Sequence, residues 1–149
     1  MCNTVTNALN IGGFFRIADA FGIKKLILCG KDIELSKRVK RTSRSTEHHV
    51  DYSIETDIIS VLEDLKKSNH QIIALEITTN STKLNTLNIA TNQPIALIVG
   101  NENYGVSDTV LKQANKIVHI SMYGHNSSMN VVHAASIALY EFTNQLQNL

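Results

Sequence analysis

Apolar residues along the chain follow two alternating rhythms. Short unbroken apolar runs occur at Lys25-Leu26-Ile27-Leu28-Cys29, Gln71 to Leu75, Ile95-Ala96-Leu97-Ile98-Val99 and Lys116 to Ile120. Runs this short, closed by polar or glycine residues, predict buried strands. Between them the apolar spacing lengthens to the helical period. Residues 56–67 put Ile58, Ile59, Leu62 and Leu65 on one face, with Glu63, Asp64, Lys66 and Lys67 outside it, which predicts an amphipathic helix. A helix is also predicted over Ile11–Phe21, with Asn10 as N-cap and Gly22 as its stop. Shorter helices are expected over residues 33–41 and 107–114. A long final helix runs from Ser128 to about Gln145, capped by Ser127 or Ser128. Residues 78–92, rich in Thr and Asn, read as an extended connection. A strand before the first helix has only about residues 1–6 to draw on.

Strand and helix alternate without a hairpin signal, and the strands are apolar throughout rather than at every second residue. That combination predicts an α/β fold with a parallel sheet sandwiched by helices. A chain of 149 residues, 43% apolar and 18% charged, is expected to form a single domain over 1–149 with a substantial core. No apolar run approaches the roughly 18–20 residues of a membrane helix, so no membrane partner is expected. The first residues carry no secretory pattern. Cys2 and Cys29 make neither a disulfide framework nor a zinc site, which suits a reducing cytoplasm. His48-His49 beside Glu47 face different directions, so no metal site is read there.

The net charge of +1 hides an asymmetry. Residues 1–50 hold nine Lys/Arg and four Asp/Glu; residues 51–149 hold five and nine. The excess centres on Lys37, Arg38, Lys40, Arg41 and Arg44, a density suited to phosphates or to a solvated helix face.

Special backbone geometry is concentrated in two regions. Gly12, Gly13, Gly22 and Gly30 lie near the start, Gly100, Gly105 and Gly124 near the end, and none between. Three stretches draw attention. In the first, Asn7 to Gly22, two glycines near a helix start would let amides approach a ligand, and Arg16 lies one turn on from Gly12. In the second, a buried strand enters Gly100-Asn101-Glu102-Asn103-Tyr104-Gly105 and then a helix. In open α/β sheets such strand ends bind ligands. The spacing is neither a P-loop nor a dinucleotide fingerprint. In the third, Ile120-Ser121-Met122-Tyr123-Gly124-His125-Asn126-Ser127-Ser128-Met129-Asn130, a strand end leads to a capped helix. His133 in that helix reads as a packing histidine rather than a base.

In order, these stretches resemble the three signature motifs of the SpoU/TrmH family of RNA 2′-O-ribose methyltransferases, in the SPOUT superfamily. The first pattern, N-x-x-N-x-G-x-x-x-R-x-A-x-x-F-G, is matched from Asn7 through Arg16 to Gly22. The second, G-N-E-x-x-G, is matched at Gly100 to Gly105, and the third from Ile120 to Val131, with Tyr140-Glu141 closing the Ala-rich helix. Two departures are an Ala8 where the family commonly has proline, and a clipped first strand. The RNA-binding segments that flank this region in some relatives are not matched.

The resemblance implies an α/β trefoil knot, a homodimer with the active site near the subunit interface, and S-adenosyl-L-methionine as cofactor. It implies a pocket built by backbone around Leu75, Glu76, Val99, Gly100, Ile120, Met122 and Met129. Asn10, Arg16, Glu102, Ser128 and Asn130 match the family's catalytic positions. Arg16 would clamp phosphate and stabilise a developing alkoxide, since guanidinium is no base at neutral pH. Asn10 and Ser128 would orient ribose and phosphate, and Asn130 and Glu102 would hold the Arg16 region and the cofactor loop. Lys37, Arg38, Lys40, Arg41 and Arg44 would add RNA contacts. Transfer RNA is favoured over ribosomal RNA as substrate. The alternative is a non-catalytic protein of the same fold that binds RNA or assists ribosome assembly.

Overall fold

The computed structural model describes residues 1–89 and 92–147. Its strands are β1 (Cys2–Asn3), β2 (Leu26–Cys29), β3 (Tyr52–Glu55), β4 (Gln71–Leu75), β5 (Thr82–Lys83), β6 (Ile95–Val99) and β7 (Lys116–His119). Its helices are α1 (Ala8–Ala20), α2 (Lys37–Ser43), α3 (Ile58–Lys67), α4 (Asp108–Leu111) and α5 (Val131–Gln147). Single 3₁₀ turns occur at Thr46–His48 and Leu84–Thr86. The strands form one sheet in the order β3-β2-β1-β6-β4-β7-β5, with every neighbouring pair parallel. This is the expected α/β architecture.

The unbroken apolar runs are explained by burial on both faces. Successive residues of β4 point to opposite sides of the sheet. Ile72 and Ala74 join Leu62, Ile98 and Val110 beneath α3 and α4. Ile73 packs with Val118, Ala138 and Phe142 on the α5 side. Phe14 and Phe15 of α1 close a further cluster with Leu28 and Val39.

The two edge strands escaped the sequence reading for a shared reason. An edge strand is paired on one side and half exposed, so it needs no unbroken apolar run. Tyr52 and Ile54 of β3 are exposed, while β5 is wholly polar. The stretch 78–92 is therefore more than a connection. It holds β5 and a 3₁₀ turn, and it buries Leu84, Leu87 and Ile89 against Val118 and Phe142. Residues 90 and 91 of that stretch lie outside the described residues.

Helix boundaries differ from expectation at several places, and α4, Asp108–Leu111, is shorter than the 107–114 expected. Asn7, not Asn10, caps α1: its Oδ1 accepts from Leu9 N–H at 2.9 Å. Asn10 thereby sits inside the first turn. The basic helix starts at Lys37, where Ser36 Oγ accepts from Val39 N–H. The last helix starts at Val131, and its cap is Asn130 rather than Ser127 or Ser128. Asn130 Oδ1 accepts from Val132 N–H at 2.9 Å and from His133 N–H at 3.4 Å.

Gly12 and Gly13 also prove to be packing residues. They lie in the second turn of α1, past its free amides. A Cβ on Gly12 would stand 2.0 Å from Thr42 Oγ1 of α2, and one on Gly13 3.0 Å from Val132 of α5. Their absent side chains let α2 and α5 approach α1.

Candidate functional site

The carboxyl ends of β6, β4 and β7 lie side by side, with Leu75 in register with Val99 and with Val118. The loops leaving these ends enclose a cavity of about 1050 Å³. Its position obeys the general rule for open parallel sheets. All seven residues expected around the cofactor line it: Leu75, Glu76, Val99, Gly100, Ile120, Met122 and Met129. Glu102, Ser128 and Asn130 line it as well.

The loop after β6 is closed on itself. Asn101 and Gly105 exchange backbone hydrogen bonds of 3.0 and 2.9 Å. Asn101 Oδ1 accepts from Asn103 N–H and Tyr104 N–H, and its Nδ2 donates to the Thr4 carbonyl at the end of β1. A Cβ on Gly100 would stand 2.1 Å from the Gly105 carbonyl carbon, so the loop folds back directly over the strand end. Gly105, at φ +67°, faces Glu76. The Glu76 carboxylate spans the gap between β4 and this loop, with Oε2 accepting from Val106 N–H at 2.8 Å and Oε1 from Ile77 N–H at 2.9 Å.

The three polar-glycine stretches are joined by one hydrogen-bond chain. Asn130 Nδ2 donates to Asn10 Oδ1 at 3.0 Å, and Asn10 Nδ2 donates to Glu102 Oε1. The amide orientations follow from the ends of the chain. A carboxylate only accepts, so Asn10 turns its NH₂ to Glu102 and its oxygen to Asn130. The Asn130 oxygen is then left facing the amides of α5, where it caps the helix. Asn10 is buried, at 7% exposure, and both ends of its amide are engaged. It therefore holds the Glu102 loop and Asn130 in place from behind the described cavity lining, of which it is not itself a part.

Arg16 stands apart from this chain. It is exposed on the face of α1 that carries Gly12 and Gly13, outside the cavity lining, and has no hydrogen bond or ion pair among the described residues. The described lining contains two carboxylates, Glu76 and Glu102, and no Lys or Arg. Lys37, Arg38, Lys40 and Arg41 are exposed on α2, with Arg44 exposed at its left-handed C-cap. Thr42 Oγ1 ties this basic helix to α1 through the Ala8 carbonyl at 3.2 Å.

Sequence reasoning missed two side chains here. Glu76 was expected to contribute backbone alone; its carboxylate clamp depends on a loop 30 residues away. His119 also lines the cavity, with Nδ1 2.9 Å from Ser81 Oγ. Its place at the end of β7 was the available signal.

Comparison with known proteins points to one family. The sequence model of the SpoU rRNA Methylase family matches residues 1–140. A Staphylococcus saprophyticus protein assigned to the TrmH family of tRNA/rRNA methyltransferases is 29% identical over 133 residues, 89% of this chain and 52% of its own. The 23S rRNA (guanosine-2′-O-)-methyltransferase RlmB of Blochmanniella floridana is 29% identical over 142 residues, 95% of this chain and 55% of its own. The chain thus spans about half the length of these relatives. Among solved structures, an AdoMet-bound rRNA methyltransferase from Sinorhizobium meliloti superposes with a TM-score of 0.90 at 23% identity, over 97% of this chain and 55% of that one. The TrmH/SpoU tRNA modifying enzyme of A. aeolicus gives 0.87 at 27% identity, over 99% and 74%.

Proposed function

The chain belongs to the SpoU rRNA Methylase family, and from that membership we propose that it is an S-adenosyl-L-methionine-dependent RNA 2′-O-ribose methyltransferase acting in the cytoplasm. The observation that carries this reading is the chain Asn130–Asn10–Glu102, which unites three distant stretches at the mouth of one cavity.

The lining suits the cofactor. The cavity is large enough for a nucleoside with an amino-acid tail. Met122 and Met129 offer apolar surface, and Gly100 allows close approach to the backbone. Glu76 and Glu102, with no Lys or Arg among the described lining residues, favour a positively charged sulfonium. When bound, the cofactor supplies the methyl group.

The protein's own contribution is positioning and electrostatics. Glu76 holds the loop 100–105 against β4. Asn10 fixes Glu102 and Asn130, and the exposed Ser128 hydroxyl orients ribose or phosphate at the mouth. Arg16 clamps the target phosphate and stabilises charge developing on the 2′-oxygen. It reaches the cavity of a second copy in a homodimer. This accounts for an Arg16 that is exposed and unpaired among the described residues, and for a described lining without Lys or Arg. An apolar groove lined by Phe14, Ile17, Ala135, Leu139 and Phe142, of about 520 Å³, and the exposed Ile137, Tyr140 and Leu146 of α5 supply apolar surface for that dimer. The trefoil knot is part of the same reading.

RNA is the substrate because the nucleophile is the hydroxyl that DNA lacks. Transfer RNA is the first candidate, with the α2 side chains holding its phosphates; ribosomal RNA is the second. The test is calorimetry with S-adenosylhomocysteine, followed by methylation of bulk tRNA and rRNA. Product linkages should resist alkali beside the modified ribose. Methyl groups on bases, or no binding of S-adenosylhomocysteine, would reject the reading.

A further inference from the structure

The two most exposed large apolar side chains among the described residues lie on two loops that line the same cavity. Tyr104 is 88% exposed and Tyr123 95%. Tyr104 lines the cavity, and Tyr123 lies between Met122 and Gly124, which both line it. The other two tyrosines are less exposed: Tyr52 meets Phe15 edge to face at 5.1 Å, and Tyr140 lies on α5.

The backbone beneath Tyr104 is fixed while its ring is free. Its N–H donates to Asn101 Oδ1 at 3.2 Å, inside a loop closed by the Asn101–Gly105 pair. A ring presented in this way adds nothing to the core, yet needs little ordering when something covers it. The described lining offers no Lys or Arg of its own, so apart from the Arg16 a second copy would bring, nothing at this mouth supplies positive charge for further phosphates. A flat, π-faced group fits two rings better than an ion or an aliphatic chain does.

We propose that Tyr104 and Tyr123 form a stacking platform for unpaired RNA bases at the target site. The substrate then presents its target in a single-stranded loop, because bases inside an A-form duplex have no free face to offer. This deepens the methyltransferase reading and rests on it for the identity of the ligand as RNA.

The test uses fluorescence anisotropy of a labelled mixed-sequence RNA strand, and of the same strand with abasic sites in place of its bases. Base stacking tolerates sequence, so no particular target is needed. Replacing both tyrosines by alanine should weaken the ordinary strand by at least about 5-fold, the low end for the loss of one stacked base. It should leave the abasic strand unchanged, and the slope of affinity against salt should stay the same. Replacing both by phenylalanine should preserve binding, because the ring and not the hydroxyl acts. Equal loss on both strands, no loss on either, or a phenylalanine pair as weak as the alanine pair would overturn the proposal. So would a change of sedimentation mass in the alanine pair, which would assign the rings to contact between copies. Failure of the wild-type chain to bind S-adenosylhomocysteine would sink the methyltransferase reading separately, while the strand comparison still reports on stacking.

Discussion

Asn10 and Asn130, 120 residues apart in the chain, share a hydrogen bond of 3.0 Å that ties the first turn of α1 to the cap of α5. Glu102 extends the link to the loop after β6. Removing the Asn10 side chain would take a hydrogen-bond partner from the Glu102 carboxylate and from the Asn130 NH₂ group. Asn10→Ala should cost about 1–3 kcal/mol of stability, seen in urea titration. It should lower methyl transfer at least tenfold, since both neighbours line the cavity. Asn10→Asp should be worse at pH 8, where two carboxylates face each other, and should recover as acid protonates one of them.

Glu76 makes a second separable claim. Both of its oxygens accept backbone N–H groups, one on its own strand end and one at Val106. Glu76→Gln exchanges one acceptor for a donor that faces a donor. The loop 100–105 should then loosen, and binding of S-adenosylhomocysteine should weaken at least tenfold in calorimetry. Gly105→Ala should weaken it as well, because its Cβ would stand 2.3 Å from Glu76 Oε2 on a backbone at φ +67°. If either variant bound normally, the carboxylate clamp would have no part in shaping the site.

The central strands and the cavity lining were readable in the sequence because burial on two faces writes a continuous apolar run, and because the special loops concentrate Gly and Asn. The edges were not. β3 and β5 are half solvated, so their residues obey no strong pattern. The roles of Gly12 and Gly13 were misread for a different reason. A glycine that admits a ligand and one that admits Thr42 or Val132 look alike until α2 and α5 are in place. Asn10 shows the same limit. Its type and position marked it as important, but its neighbours Glu102 and Asn130 are remote in the chain, and only their meeting shows that its amide links the two.

The two cysteines give a prediction about pH. Burial pushes the Cys2 thiol from 9.0 up to about 12 and the Cys29 thiol from 9.0 up to about 11. The folded state therefore keeps protons that the unfolded chain gives up above pH 9. Stability from this source is fully present below pH 9 and is lost as pH rises toward 11 and beyond. Urea midpoints should be flat in this respect between pH 7 and 8.5 and fall from pH 9 to 11, and Cys29→Ala should flatten part of that fall. At pH 7.5 neither thiol should react with a disulfide reagent until denaturant is added. Rapid labelling of the native protein would contradict the burial of both side chains.

Arg16 provides the test of the homodimer. It is exposed and unpaired among the described residues, and it does not line the cavity of its own chain. If it serves the cavity of a second copy, two inactive variants should repair each other. Arg16→Ala retains a sound cavity. Gly100→Ala retains Arg16 but loses the cavity, because its Cβ would stand 2.1 Å from the Gly105 backbone. In a two-fold dimer each site pairs the cavity of one copy with Arg16 of the other. A mixed dimer then holds one site with both parts intact and one with neither. Co-expression in equal amounts makes half the dimers mixed, so about a quarter of wild-type methyl transfer should return. If Arg16 acts within its own chain, every site in the mixture lacks either the arginine or the cavity, and no activity returns. Sedimentation of the mixture checks that dimers are present, so that silence in the assay counts against the shared site rather than against the mixing.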